Sequence, residues 1–488
     1  MEDKKARKVE INPVTRLEGH AKIEVFLNEE GNVDDAFFQV VEFRGIERFL
    51  RGRPVEQLPH ITARLCGVCP WAHHICASKA CDAVYHVDPP APAKKLRELG
   101  YMAHLVHSHT VHFYALGGPD FVVGPTAPPA ERNIFGVINK VGLELGKEVI
   151  KNRGYAQDIQ EIIGGLGTHP VFGIPGGISK GITPEERDKI AEMGKSMLEF
   201  AQLTQKVFDD VVLQNSQYVE LITGDIYHNR TYHMGLVDSN DKVTFYDGMV
   251  KVIDPEGNEF ARFAPQDYLD HIAEKVLPWS YLKFPYLKKV GWKGLVEGPD
   301  SGVMRVAPLA RLNVAEGMAT PLAQEQFEKF YSVLPRPCHS TLAMHWARVI
   351  EILQAAETLM ELVVDEEILS DNVHTIPTAV PDEGIGIIEA PRGTLVHHYI
   401  TDENGIVQDA NLIVATGHNN AVMCMGIKKA ADKLIKNFEV DQGICNMIEM
   451  TFRSYDPCFA CSTHALGQMA MEIVIRDRNG EVIERITR

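Results

Sequence analysis

The sequence predicts an α+β fold with a mainly helical core, and three observations lead there. Long stretches carry apolar residues at helical spacing, in the middle of the chain and again near its end. Short runs of alternating apolar and polar residues, punctuated by glycine, asparagine and aspartate, fall between them. Apolar residues make up 45% of the 488 and charged residues 24%, a balance suited to a sizeable buried core.

In chain order, "HAKIEVFLNEEGNVDDAFFQVVEF" alternates around a Glu-Gly-Asn turn and predicts an antiparallel strand pair near 20–43. Residues 92–117 read as helix, followed by Gly/Pro-rich loops at 117–130 and 164–182. Thr183-Pro184-Glu185-Glu186 offers a capping hydroxyl and a proline at the first helical position, so a long helix is expected from there to about 222. Turn residues between short alternating runs predict a β-meander at about 229–263. Helices follow at about 322–334 and 340–368, then a β-rich portion at 385–416, then helices at about 420–436 and 440–454. No repeat, low-complexity tract or flexible linker divides the chain, so one large domain is expected.

The net charge of -17 argues against nucleic acid and anionic membrane surfaces as partners. No apolar run reaches the roughly 18 residues of a membrane span, and the charged start "MEDKKARKVEINPV" lacks the apolar stretch of a secretion signal. A cytoplasmic location is therefore expected. The nine cysteines, an odd number in a large chain, read as thiols and metal ligands rather than a disulfide framework.

Two Cys-x-x-Cys pairs carry the chemistry: Cys66 and Cys69 in "RLCGVCPWAHHICASKACD", and Cys458 and Cys461 in "RSYDPCFACSTHALGQ". Each lets two thiolates converge on one ion, and together they supply four soft ligands. A structural zinc knuckle would place its pairs about 15–20 residues apart, whereas nearly the whole chain separates these. The fold has to bring both ends of the chain to one buried centre.

"RLCGVC" and "DPCFACSTH" resemble the paired motifs of the [NiFe]-hydrogenase large subunit. "INPVTRLEGHAKIEV", "VEFRGIERFLRGRP", "WSYLKFPYLK", "RVAPLARLN" and "EAPRGTLVHHY" also look like segments of that family, in order along the chain. The resemblance is strongest to soluble cytoplasmic types, those linked to heterodisulfide reductase and the NAD-linked bidirectional ones. It implies the large-subunit fold, with a long-helix core and small peripheral antiparallel sheets. Residues 1–464 would form a single catalytic domain, with a β-rich N-terminal part at about 9–45, and 465–488 a C-terminal extension removed by a maturation endopeptidase.

The resemblance further implies that Cys66, Cys69, Cys458 and Cys461 hold nickel, Cys69 and Cys461 also bridging to an iron that carries carbon monoxide and cyanide. Cys458 would take the proton from H2 and Glu18 in "RLEGH" would relay it. Arg392, Pro391 and Thr416 would line the pocket of the diatomic ligands, the arginine offsetting the negative charge of the centre. Glu47 and His464 would hold a second ion, magnesium or iron. Asp456 remains near the centre, although Ser108 stands where many membrane-linked relatives have aspartate. His73 and His74 are candidates for hydrogen bonds behind the ligands, whereas His104, His107, His109 and His112 are expected at the surface or core edge. Cys76, Cys81, Cys338, Cys424 and Cys445 are expected as buried thiols and form no cluster pattern. Electrons would then leave through an iron–sulfur small subunit to a heterodisulfide-reductase-type module, with an NAD(P)-linked diaphorase as the alternative. A non-catalytic scaffold relative is disfavoured because that type lacks the four cysteines.

Overall fold

Four helices surround one another at the centre of the chain, seen in a computed structural model that describes residues 7–463 together with 472–476 and 482–487. Helix α1 (Pro70–Val84) leads from the first cysteine pair into α2 (Ala91–Val111). The bundle is completed by α3 (Leu143–Gly164), α4 (Pro184–Phe208) and α5 (Met344–Val363). In it α2 packs on α3 and α5, and α4 packs on the same two helices. Helix α5 is buried on almost every side from Met344 to Glu357, so its polar residues His345, Arg348 and Glu351 each need an internal partner.

Small antiparallel sheets surround this bundle. Strands β1 (Arg7–Ile11), β2 (Ala21–Leu27) and β3 (Val33–Val40) pair in sequence order, with Val25 opposite both Val9 and Ala36. Alternation puts Ala21, Ile23, Val25 and Leu27 on the buried face. The meander β4 (Tyr232–Val237), β5 (Met249–Ile253) and β6 (Glu259–Phe263) gains a short parallel strand, Met304–Arg305, beside β4. A third meander, β7 (Glu383–Ala390), β8 (Gly393–Thr401) and β9 (Val407–Ile413), packs its first two strands against α1. At the C-terminal end 472–476 and 482–487 pair as an antiparallel hairpin.

The predicted strand pair, meander, late sheet and late helices are all present. The helix expected to reach about 222 instead gives way at Asp209–Leu213 to a π-helical turn, and Asn215 caps a separate helix, Ser216–Thr223. A short helix, Gly118–Val122, occupies part of the expected 117–130 loop. Helices Ile134–Val141 and α3 lie outside the predicted set. At the start of α3 Gly142 has no capping side chain, and Gly146 and Gly154 interrupt its pattern.

Candidate metal centre

Both cysteine pairs sit where a chain segment turns into a helix. Cys69 precedes α1, with Pro70 at its first position, and Cys458 precedes the single turn Phe459–Ser462. In the first pair, the backbone N–H groups of Val68 and Cys69 both donate to Cys66 Sγ at 3.2 Å, fixing that sulfur over the turn. Although 392 positions apart, Cys66 Sγ and Cys458 Sγ lie 3.2 Å from each other. Cys69 Sγ and Cys461 Sγ are 3.6 Å apart, Cys458 Sγ and Cys461 Sγ 2.8 Å, and all four sulfurs fall within 4.8 Å of one another. All four are buried, and among the described residues no other group of three or more cysteine, histidine or carboxylate side chains converges this way.

The N-terminal segment is stitched to the last one. Glu18 N–H donates to Pro457 O at 3.3 Å and Phe459 N–H donates to Glu18 O at 3.1 Å, a two-residue parallel bridge between the chain's ends. Gly19, at φ 89°, permits the approach: a Cβ there would lie 2.9 Å from Phe459 Cβ. The bridge places Glu18 Oε2 3.0 Å from Cys458 Sγ, and Ala460 N–H donates to the same oxygen at 3.1 Å.

Pro391, Arg392 and Thr416 line one small cavity with Cys69, Cys458 and Cys461, its other walls including Ala72, Leu395 and Val414. Thr416 Oγ1 accepts Cys458 N–H at 3.0 Å, which leaves its own proton free to donate. Arg392 is buried; its Nε donates to Asp456 O, and its Nη2 lies 3.0 Å from Asp456 Oδ2. Its Nη1 is a buried donor with no protein acceptor. Burial works against the Arg392 charge, and Asp456 together with the cluster sulfurs more than restores it. Burial likewise pushes the Cys458 and Cys461 thiols up, while hydrogen bonds from Cys458, Cys461 and Cys66 hold the Cys69 thiol well below its ordinary value. Four such sulfurs cannot all ionise beside a single buried guanidinium, so a soft cation is what this donor set fits. The orphaned Nη1 fits an acceptor brought in with that cation.

His73 lines the same cavity as Cys69, and its Nδ1 lies 3.1 Å from His397 Nε2. His74 instead contacts Pro59 O at 3.0 Å and accepts Gly173 N–H, away from the sulfurs. The histidines of α2 and of the turn just after it depart from expectation. His104, His109 and His112 are in the core, His109 Nε2 lying 3.0 Å from Glu351 and His112 Nε2 donating to Arg453 O at 2.8 Å. Helix α2 is covered on two sides by α3 and α5, so faces that look solvent-directed in the sequence are internal.

Glu47 belongs to a separate cluster. Its Oε1 accepts Leu412 N–H at 3.0 Å, and Lys283 Nζ lies 3.3 Å from Glu47 and 3.2 Å from Glu274. His464 lies outside the described residues. Cys76, Cys81, Cys338 and Cys424 are buried and Cys445 half-buried, all as free thiols.

A buried tetrathiol cluster, with a carboxylate on one sulfur and a fixed guanidinium beside it, is a donor set suited to a soft transition metal. The chain belongs to the nickel-dependent hydrogenase family, whose model matches residues 44–133 and 147–464, while a HoxL-like model matches 8–43. It is 52% identical over 98% of its length to an F420-non-reducing hydrogenase iron-sulfur subunit of Archaeoglobus profundus, covering 99% of that protein. To the beta subunit of the NAD-reducing hydrogenase HoxS of Cupriavidus necator it is 38% identical, over 99% of this chain and all of the other (100%). Its fold matches the crystal structure of an NAD+-reducing [NiFe]-hydrogenase in the H2-reduced state with a TM-score of 0.88 and 34% identity, over 94% of this chain and 99% of that one.

Proposed function

We propose that this chain is the catalytic subunit of a complex that reversibly cleaves H2 heterolytically to protons and electrons. Cys66, Cys69, Cys458 and Cys461 would hold the nickel–iron centre. The observation that carries the reading is the meeting of both cysteine pairs with Glu18 at 3.0 Å from Cys458 Sγ. When bound, the centre supplies the two-electron acceptance that splitting H2 requires.

The chain's own groups do the rest. Cys458 Sγ receives the proton and passes it to Glu18 Oε2, which is within direct transfer distance. Ala460 N–H holds that oxygen in place, so the carboxylate is aimed before the proton arrives. Arg392 would compensate the excess negative charge of the centre, and its free Nη1 would donate to a cyanide ligand of the iron. Pro391 would line the pocket of those ligands, and the Thr416 hydroxyl would be a second donor to them. The apolar walls at Ala72, Leu395 and Val414 keep water out and strengthen each of these electrostatic contacts.

Electrons leave through a partner protein, since the five remaining cysteines make no cluster among the described residues. That partner is an iron–sulfur small subunit. The higher identity to the F420-non-reducing relative supports a heterodisulfide-reductase-type module beyond it, with an NAD(P)-linked diaphorase as the second reading on the strength of the NAD-reducing relatives. A second, hard ion, magnesium or iron, binds at Glu47 and His464. Glu47 and Glu274 share the one ammonium of Lys283, which leaves a negative charge over for such an ion. Residues 465–488 are a processing extension cut after His464, which leaves 1–464 as the catalytic domain. No described helix is long and apolar enough to cross a membrane, and the enzyme works in the cytoplasm.

Metal analysis of the purified complex, with infrared spectroscopy, tests this. Nickel and iron together, with bands of iron-bound carbon monoxide and cyanide, are expected in H2-oxidising preparations. Full activity without nickel, or without those bands, would overturn the reading.

A further inference from the structure

The segment "RVAPLARLN" sends Arg311 into the core with no exposure at all. Arg311 donates from Nε and Nη2 to the two oxygens of Glu351 on α5, both at 2.6 Å, and from Nη1 to Glu389 Oε2 at 2.7 Å. The same guanidinium also reaches backbone: Nη1 donates to Ala390 O at 3.0 Å and Nη2 to Pro391 O at 3.3 Å. Its contacts therefore cover three consecutive residues that end immediately before Arg392.

Both carboxylates are themselves held. His109 Nε2 lies 3.0 Å from Glu351 Oε2, while Thr394 Oγ1 and Leu236 N–H donate to Glu389 Oε1 at 2.7 and 3.0 Å. On the far side of the turn Asn419 Nδ2 donates to Arg392 O at 3.3 Å. Gly393, at φ 122°, lets the turn lie against Val306, whose Cγ2 would be 2.2 Å from any added Cβ. The turn that delivers Arg392 is clamped from both ends.

A buried ion triad is a poor device for stability alone, because apolar side chains of the same volume often do as well. Apolar side chains cannot supply a rigid fork of donors to successive carbonyls. We propose that Arg311 is a positioning residue for H2 cleavage, fixing the Ala390 and Pro391 carbonyls so that the Arg392 guanidinium meets the thiol cluster at a set place. This inference rests on the assignment of Arg392 to the centre made above.

Three variants of the purified complex test it, each assayed for nickel and iron content, the infrared bands of the iron's diatomic ligands, and kcat and KM for H2. Arg392→Lys reads the underlying assignment and is expected to move the bands. Arg311→Lys keeps the charge and loses the fork. The triple variant Arg311→Met, Glu351→Gln, Glu389→Gln removes the fork and leaves no carboxylate unpaired. Both Arg311 variants are expected to retain their metals, to move the bands as Arg392→Lys does, and to lower kcat about 10²-fold, the loss a displacement of about 1 Å produces, with KM unchanged. Wild-type bands in loaded Arg311 variants, with Arg392→Lys shifted, overturn the proposal and leave the Arg392 assignment standing. Unmoved bands in Arg392→Lys overturn that assignment and the proposal with it. If neither Arg311 variant yields loaded protein, Arg311 serves the core alone and the proposal fails.

Discussion

Glu18 is held by its backbone before its side chain does anything. Its N–H and C=O are both taken by the Cys458 segment, so the carboxylate has little choice of direction. Glu18→Gln keeps the size and the acceptor for Ala460 N–H but cannot take up a proton. Nickel, iron and the infrared bands are expected to stay as in wild type, while H2 oxidation falls on the order of 10²- to 10⁴-fold, the usual worth of a positioned acid–base group. Turnover near wild type in a metal-replete Glu18→Gln complex would show that the proton leaves by another route. Glu18 was legible from its "RLEGH" context, and the cysteines from their spacing. Arg311 was not, because an arginine amid "VAPLARLNVA" gives no hint of which carbonyls it will reach.

At the scale of elements, the buried faces of α2 and α5 store a dependence on pH. Burial pulls His104 and His109 down to about 4 and His345 down to about 3, so all three stay neutral in the folded chain. In the unfolded chain each titrates near 6.5. Between those values the unfolded state binds more protons, so the stabilisation is complete above about pH 6.5 and is lost as pH falls towards 4. Each histidine contributes a slope of about 1.4 kcal/mol per pH unit in that window, or about 4 kcal/mol per unit for the three. Urea midpoints measured from pH 7.5 to 5 should therefore fall steeply, and His345→Gln should remove about 1.4 kcal/mol per pH unit from the slope of the unfolding free energy; an unchanged slope in that variant would contradict the account. The same burial shows why the histidines misled the sequence reading. Periodicity tells which residues share a face, but not how many neighbours will cover the helix, and α2 is covered on two sides. Elements with strong local signals were legible: the capped start at Thr183, the strands around Glu-Gly-Asn, the late sheet. Helix α3, begun at a glycine and broken by two more, exists through packing on α2 and α4 rather than through local preference.

For the molecule as a whole, the proposed cleavage after His464 yields the clearest measurement. Intact mass of the large subunit in active complex should match a chain ending at His464, and that of the metal-free chain should match all 488 residues. A full-length mass in active enzyme would contradict processing. The pairing of distant ends also has a consequence in time. Cys66 and Cys458 touch across 392 positions, and a ribosome adding about 5–20 residues per second needs roughly 20–80 s to span them. Through that interval each nascent chain presents two adjacent thiols without their counterparts, an open invitation to zinc or to oxidation. A cell that makes this enzyme has to shield a half-finished chelate for longer than most domains take to fold.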